Sequence, residues 1–209
     1  MRSTTRPDSV FPSRYSRGAS LPELLTVLAI LGAMTATALP SLLDVLAQTS
    51  LRSACNDVMA VFTQARARAT FHGCDVGVKW VSSGGDVVLS IYEDRNGNGV
   101  TSADIKKGID KLVGGPYWFR GRYPGITFSF LPGFEGLDPN GDPIGDLSDA
   151  IRFGRSDIAT FSPTGNASPG SVYLSNGKHR QAVVRVSPAT ARIQIFDWMG
   201  KKQKWVKRW

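Results

Sequence analysis

Residues 24–43, LLTVLAILGAMTATALPSLL, contain no charged side chain, and the reading of this stretch decides the fold. Twenty residues at ~1.5 Å rise make a helix of ~30 Å, the thickness of a bilayer's hydrocarbon core, so the segment is long enough to span one. The flank before it is basic, with Arg14 and Arg17 and no acid between Asp8 and Glu23. The positive-inside rule therefore keeps the N-terminus cytoplasmic and sends the bulk of the chain across the membrane. A cleaved secretory signal competes with this reading, but its apolar region would be ~7–15 residues long and end at an A-x-A-like site. Thr37-Ala38-Leu39-Pro40 is a poor version of that site. Neither a secretory signal nor a plain anchor explains Glu23, a carboxylate at the very edge of the run. An acid beside hydrocarbon costs a few kcal/mol, so such a residue ordinarily has a partner and a role.

The sequence Gly18-Ala19-Ser20-Leu21-Pro22-Glu23-Leu24-Leu25-Thr26-Val27-Leu28-Ala29-Ile30-Leu31-Gly32 resembles the class III signal of type IV pilins and pseudopilins. The resemblance implies a leader, residues 1–18, removed by a prepilin peptidase at Gly18–Ala19. It also implies methylation of the new N-terminus at Ala19, and a role for Glu23 in methylation and assembly. In a helical filament the Glu23 carboxylate would pair with the α-amino group of a neighbouring subunit, so that neither charge is left alone in the apolar bundle. Two residues depart from the family: Ala19 where most members have Phe, and Pro22 where they carry an aliphatic residue. Pro22 falls in the first helical turn, where its missing N–H would be unpaired anyway. Pro40 lies mid-run and is expected to kink or locally melt the helix, as a proline near that place does in the family.

Beyond the anchor the pattern becomes amphipathic. Leu51, Ala54, Cys55, Val58, Phe62, Ala65 and Ala69 recur at three- and four-residue steps, while Arg52, Asp57, Gln64, Arg66 and Arg68 fill the other face. Gly73 supplies a stop. One long helix over 19–73 is expected, with a transmembrane segment at about 24–43 and a second half laid on a globular head.

After Gly73 come short alternating runs separated by turn residues. Val76–Val81, Ser82-Ser83-Gly84-Gly85 and Val87–Tyr92 read as a β-hairpin; further strands are expected at Ile126–Leu131, Ile158–Phe161, Ser171–Leu174, Ala182–Val186 and Arg192–Phe196. A helix followed by six or seven antiparallel strands is an α+β fold, the helix covering one face of the sheet. The head spans 74–199 and a basic aromatic tail 200–209. Tyr92-Glu93-Asp94-Arg95-Asn96-Gly97-Asn98-Gly99 and the run from Phe161 to Leu174 resemble the GspH/FimT branch of pseudopilins and minor pilins. That resemblance implies a subunit used in small numbers, often near a filament tip, whose partners are other pilins, the prepilin peptidase and the inner-membrane assembly platform. The implied location is the inner membrane, single-pass, with the head in the periplasm or at the cell surface.

The net charge of +8 is concentrated at the ends. Arg2, Arg6, Arg14 and Arg17 face only Asp8, and Lys201, Lys202, Lys204, Lys207 and Arg208 face no acid, which leaves residues 19–199 neutral and without a general attraction for polyanions. The tail interleaves those cations with Trp198, Trp205 and Trp209. Ammonium groups neutralise phosphates and indoles stack on bases, so nucleic acid is one reading, an anionic lipid surface or partner protein a second, and a frayed terminal strand with solvated lysines a third. FimT-like minor pilins are linked to DNA uptake through a C-terminal Gly-Arg-x-Arg pattern. The corresponding stretch is Ala191-Arg192-Ile193-Gln194, which lacks the glycine and the second arginine.

Asp94, Asn96, Asn98 and Gly99 match the opening of a calcium loop, but the twelfth position is Ile105 and no helix precedes it, so a solvated turn is the preferred reading. Asp138, Asn140 and Asp142 form a similar fragment. Cys55 and Cys74 would lie more than ~20 Å apart along a helix, beyond the ~7 Å reach of a disulfide. His72 and His179 are the only histidines, and no ligand cluster, phosphate loop or nucleophile elbow accompanies them. The expectation is therefore a structural protein with no cofactor and no catalytic site.

Overall fold

The computed structural model describes residues 20–83, 86–119 and 121–208. The chain is α+β: one long N-terminal helix followed by two antiparallel sheets. It divides into two units, residues 1–43 and 44–209. Helix α1 runs from Leu21 to His72 without a break at Pro40, so the expected local melting does not occur. Its stop is the one expected: Gly73 turns left-handed at φ 66° while its N–H still reaches the Ala69 carbonyl.

The first unit is the apolar part of α1, and every side chain described from Leu21 to Leu43 is exposed. In the second unit the rest of α1 buries Leu51, Ala54, Cys55, Val58, Phe62, Ala65 and Ala69, the stripe read from the sequence, together with Val61. Small residues at four of those positions let the sheets approach closely. The large one, Phe62, fills the centre, its ring 5.3 Å from Trp80, 5.6 Å from Phe153 and 5.7 Å from Phe161.

Strands β1 (Val76–Ser83) and β2 (Asp86–Glu93) form the expected hairpin, in register from Val76 opposite Glu93 to Ser83 opposite Asp86; its Gly84-Gly85 tip lies outside the described residues. A short helix, α2 (Ser102–Lys107), leads to β3 (Lys111–Trp118), which pairs with β2 through two register shifts. Strands β4 (Ile151–Arg152) and β5 (Ile158–Phe161) follow, and β5 returns to β1, giving the order β3-β2-β1-β5. The second sheet is built from β4, β6 (Gly170–Ser175), β7 (Gln181–Ser187), β8 (Arg192–Met199) and β9 (Lys204–Lys207), side by side in that order. Sequence reading missed α2, β3, β4 and β9.

The buried face of α1 and one face of each sheet share a single core, with Val76, Val78, Leu89, Phe161, Leu174 and Val184 among its members. A smaller cluster, Tyr173 and Val183 with Phe128, Phe130, Phe196 and Trp205, forms elsewhere on the second sheet. The segment that brings Phe128 and Phe130 there was expected to be the strand Ile126–Leu131. It makes only one bridge, Thr127 with Ser175. The Leu131 N–H turns instead to the side chain of Gln181 at 2.7 Å, and Ser129 bonds the Thr127 and Ser175 hydroxyls, so side chains replace the ladder just before Pro132.

Candidate functional site: the apolar helix and the C-terminal hairpin

Ser20 stands immediately before α1, and its backbone N–H donates to Glu23 Oε2 at 3.4 Å. Ser-x-x-Glu at a helix start is half of a capping box, in which the third helical residue folds back on the cap. Glu23 therefore has a local structural role that reading it only as an isolated charge overlooked. Gly18 and Ala19, the expected processing site, lie outside the described residues.

The apolar part of α1 carries four hydroxyls, and each is satisfied inside the helix. Thr26 donates to the Glu23 carbonyl at 2.8 Å, Thr35 to Leu31 at 2.7 Å, Thr37 to Met34 at 2.9 Å and Ser41 to Ala38 at 2.8 Å. In hydrocarbon no water would do so, and the i−3 or i−4 carbonyl is the one acceptor always within reach. By length and composition α1 contains a stretch able to cross a membrane.

The expected tail is not an appendage. Residues 200–202 make one 3-10 turn and Gln203 turns left-handed at φ 47°. Strand β9 then runs back along β8 with Trp205 opposite Trp198 and Lys207 opposite Phe196. The boundary placed at 199/200 falls inside a hairpin, because Trp205 has a core to join: its ring lies 5.1 Å from Trp198, 5.8 Å from Phe134 and 5.9 Å from Tyr173, and its Nε1 donates to the Leu137 carbonyl at 2.7 Å. Arg208 forks onto both carboxylate oxygens of Asp197. Trp205 and Arg208, expected as nucleic-acid contacts, are committed to these partners, and Trp209 lies outside the described residues.

The basic residues of this region line two separate clefts. Arg192 at the start of β8, Lys207 and Arg208 line a cleft of about 410 Å³ with Asn56 and Met59 of α1. Lys201 and Lys202 line another with Arg52 and Arg180, and Lys204 lies on neither. Beneath the hairpin Cys55 is fully buried, and burial pushes its thiol up to about 12. Cys74 is half-buried against Glu93, and both cysteines are unpaired.

Sequence reading also missed the contacts that tie the helix to the sheets. Asp44 receives Arg180 through Nε at 3.0 Å and Nη2 at 2.6 Å, and faces His179 Nε2 at 2.6 Å. The guanidinium, then the imidazole, hold its carboxyl down at about 2. Glu93, 4% exposed, gathers Arg68, His72 and Arg95 within 3.8 Å. Burial pushes Glu93 up, but Cys74, Arg95, Arg68 and His72 outweigh it and keep the carboxyl below its usual value. Helix and sheet partners that lie 25 residues apart, as Arg68 and Glu93 do, or 136 apart, as Asp44 and Arg180 do, leave no local pattern to read.

Asp94, Asn96 and Asn98 form a turn held by backbone donors. Asp94 Oδ1 accepts from Asn96 and Gly97 N–H at 3.0 and 2.9 Å, and Oδ2 from Gly99 N–H at 2.8 Å. Asn98 Nδ2 donates to Asp104 Oδ2 at 3.0 Å, and Ile105 lies within α2. Asp138 repeats the device, accepting from Asn140 and Asp142 N–H and from Arg185. Among the described residues no group of three or more His, Cys, Asp or Glu is arranged to hold a metal ion. No family model matches this chain, and no curated protein and no solved structure matches it.

Proposed function

We propose that the chain is a minor pilin or pseudopilin of the GspH/FimT type, processed after Gly18, methylated at Ala19, held in the inner membrane by α1 and assembled through that helix into a secretion pseudopilus or type IV pilus. The observation that carries this reading is the order Gly18, Glu23, then twenty uncharged residues that continue as the helix on which the head is built. A plain anchor has no need to continue as a core helix. In a filament subunit the same helix joins the bundle to the head. The internally satisfied hydroxyls of Thr26, Thr35, Thr37 and Ser41 suit that environment. The head then lies in the periplasm or at the cell surface, and its work is mechanical.

Intact-mass spectrometry of the membrane-extracted protein tests this reading. A chain beginning at methylated Ala19 is expected in a cell with a working prepilin peptidase, and Gly18→Trp should block cleavage. A chain retaining Met1 alongside other processed pilins would overturn the reading.

A second reading, DNA uptake, is favoured by one feature. Ala191 adopts φ 45°, the left-handed conformation that glycine takes most readily, at the place where the family's Gly-Arg-x-Arg pattern carries its glycine. Arg192 is exposed and shares a cleft with Lys207. Salt-dependent gel shifts on duplex DNA, lost in Arg192→Ala/Lys207→Ala, are the expected result; no shift at low salt removes this reading.

A further inference from the structure

The second basic cleft, about 390 Å³, lies where α1, the start of β7 and the C-terminal hairpin meet. Arg52 lines it from α1, Arg180 from the turn before β7, and Lys201 and Lys202 from the 3-10 turn. Arg180 is already matched by Asp44, and Asp197, the acid that lines the cleft, is matched by Arg208. Arg52, Lys201 and Lys202 are exposed and have no ion-pair partner among the described residues. Gln181 also lines the cleft. It is 1% exposed, its Oε1 is taken by the Leu131 N–H, and its Nε2 is buried without any acceptor. Leu51, Trp198 and Met199 add an apolar surface beside the cations.

We propose that this cleft binds the phosphate-bearing headgroup of an anionic phospholipid. Three unmatched, exposed cations suit a group with several acceptor oxygens and a negative charge, and the apolar surface suits the glycerol and first methylenes attached to it. Connectivity favours a lipid source. Gln48 and Arg52, both in the cleft, follow Leu43 by five and nine residues, and at no more than ~3.5 Å per residue the chain keeps them within about 30 Å of the end of the apolar run. A single-stranded nucleic acid would use open aromatic faces for its bases. Trp198 offers none: it is 9% exposed, with its ring edge-on to Phe134 at 4.9 Å and tilted against Trp205. The proposal rests on residues 24–43 being a membrane anchor, and not on membership of a filament.

The test uses the full-length protein in neutral detergent, with native mass spectrometry counting retained lipid when phosphatidylglycerol and phosphatidylcholine of the same chain length are offered together. Retention of phosphatidylglycerol with at least about tenfold preference is expected, falling to no preference in Arg52→Ala/Lys201→Ala/Lys202→Ala. The three residues are exposed, and an unchanged circular dichroism melt confirms that the variant is folded. Equal retention of the two lipids, or an undiminished preference in the triple variant, overturns the proposal. Displacement of the lipid by an equal concentration of inorganic phosphate assigns the site to free phosphate and overturns the lipid assignment; displacement by a short DNA duplex does so in favour of nucleic acid. Cleavage at Ala19 is read separately by intact mass, so a processed protein without lipid preference sinks this proposal alone, and an unprocessed protein that retains the lipid sinks only the pilin reading.

Discussion

At Glu23 a helix cap and the proposed intersubunit ion pair compete for one carboxylate. The two roles separate under Glu23→Gln, because a glutamine at the third helical position still reaches back to the Ser20 N–H but carries no charge. We expect Glu23→Gln to insert and to be cleaved like the native protein yet to be missing from sheared filaments; assembly at native levels would leave capping as the whole role of the residue. The Ser-x-x-Glu spacing was open to view in the sequence, whereas Asp44 was not legible, since its partners lie 135 and 136 residues away. The cysteines give a second test. Cys55 is 0% exposed with its thiol held up to about 12, first by burial, while Cys74 is half-buried and raised by burial and by Glu93. Ellman's reagent at pH 8 should react slowly with Cys74 alone in the native protein and with both thiols in guanidinium; two fast native thiols would contradict this burial.

At the scale of elements, legibility followed side-chain period. The buried stripe of α1 recurs at three- and four-residue steps, the strands β1, β2 and β5 to β8 carry short runs rich in Val, Ile, Leu and aromatic residues, and their positions could be read. Strand β3 could not, because Gly114-Gly115-Pro116 interrupts its pattern, and Gly115 is required there: at φ 87°, a Cβ would sit 2.7 Å from the Leu89 carbonyl. Helix α2 is only six residues long, although Thr101 capping the Asp104 N–H and Gly108 at the other end announce it. Strand β9 hid behind its lysines. On an edge strand, lysines discourage pairing with another chain, which gives Lys204 and Lys207 a structural reason to be there. The hairpin makes a sharp prediction. Deleting residues 204–209 should expose the Trp198, Phe134 and Tyr173 rings and yield insoluble protein, whereas a frayed tail would be dispensable. Trp205→Ala should cost ~2–4 kcal/mol by urea unfolding. Binding tests on this region therefore need point substitutions at exposed lysines, not truncation.

In the whole molecule, the head half of α1 is a wall of the core that both sheets share, so that half of the rod and the head cannot be loaded independently. Phe62→Ala, at the meeting point of Trp80, Phe153 and Phe161, should lower unfolding free energy by ~3–5 kcal/mol, measured by urea denaturation. Two carboxyls that tie α1 to the rest of the head are both held below their usual values. Asp44 is held from its usual 3.8 down to about 2, by Arg180 first and His179 second, and Glu93 is also lowered, burial being outweighed by Cys74, Arg95, Arg68 and His72. A carboxyl whose folded value lies below its unfolded one contributes stability above the unfolded value, and that contribution is lost as the pH falls through the folded one. For Asp44 the contribution is nearly intact above about pH 4 and mostly lost by about pH 2. Thermal melts of the native protein and Asp44→Asn should therefore differ at pH 5, with the variant melting lower, and most of that gap should be lost between pH 4 and pH 2. A gap that persisted undiminished at pH 2, where about half of the native carboxylates are protonated, would mean that the substituted amide harms the fold by its shape and that the ion pair contributes nothing.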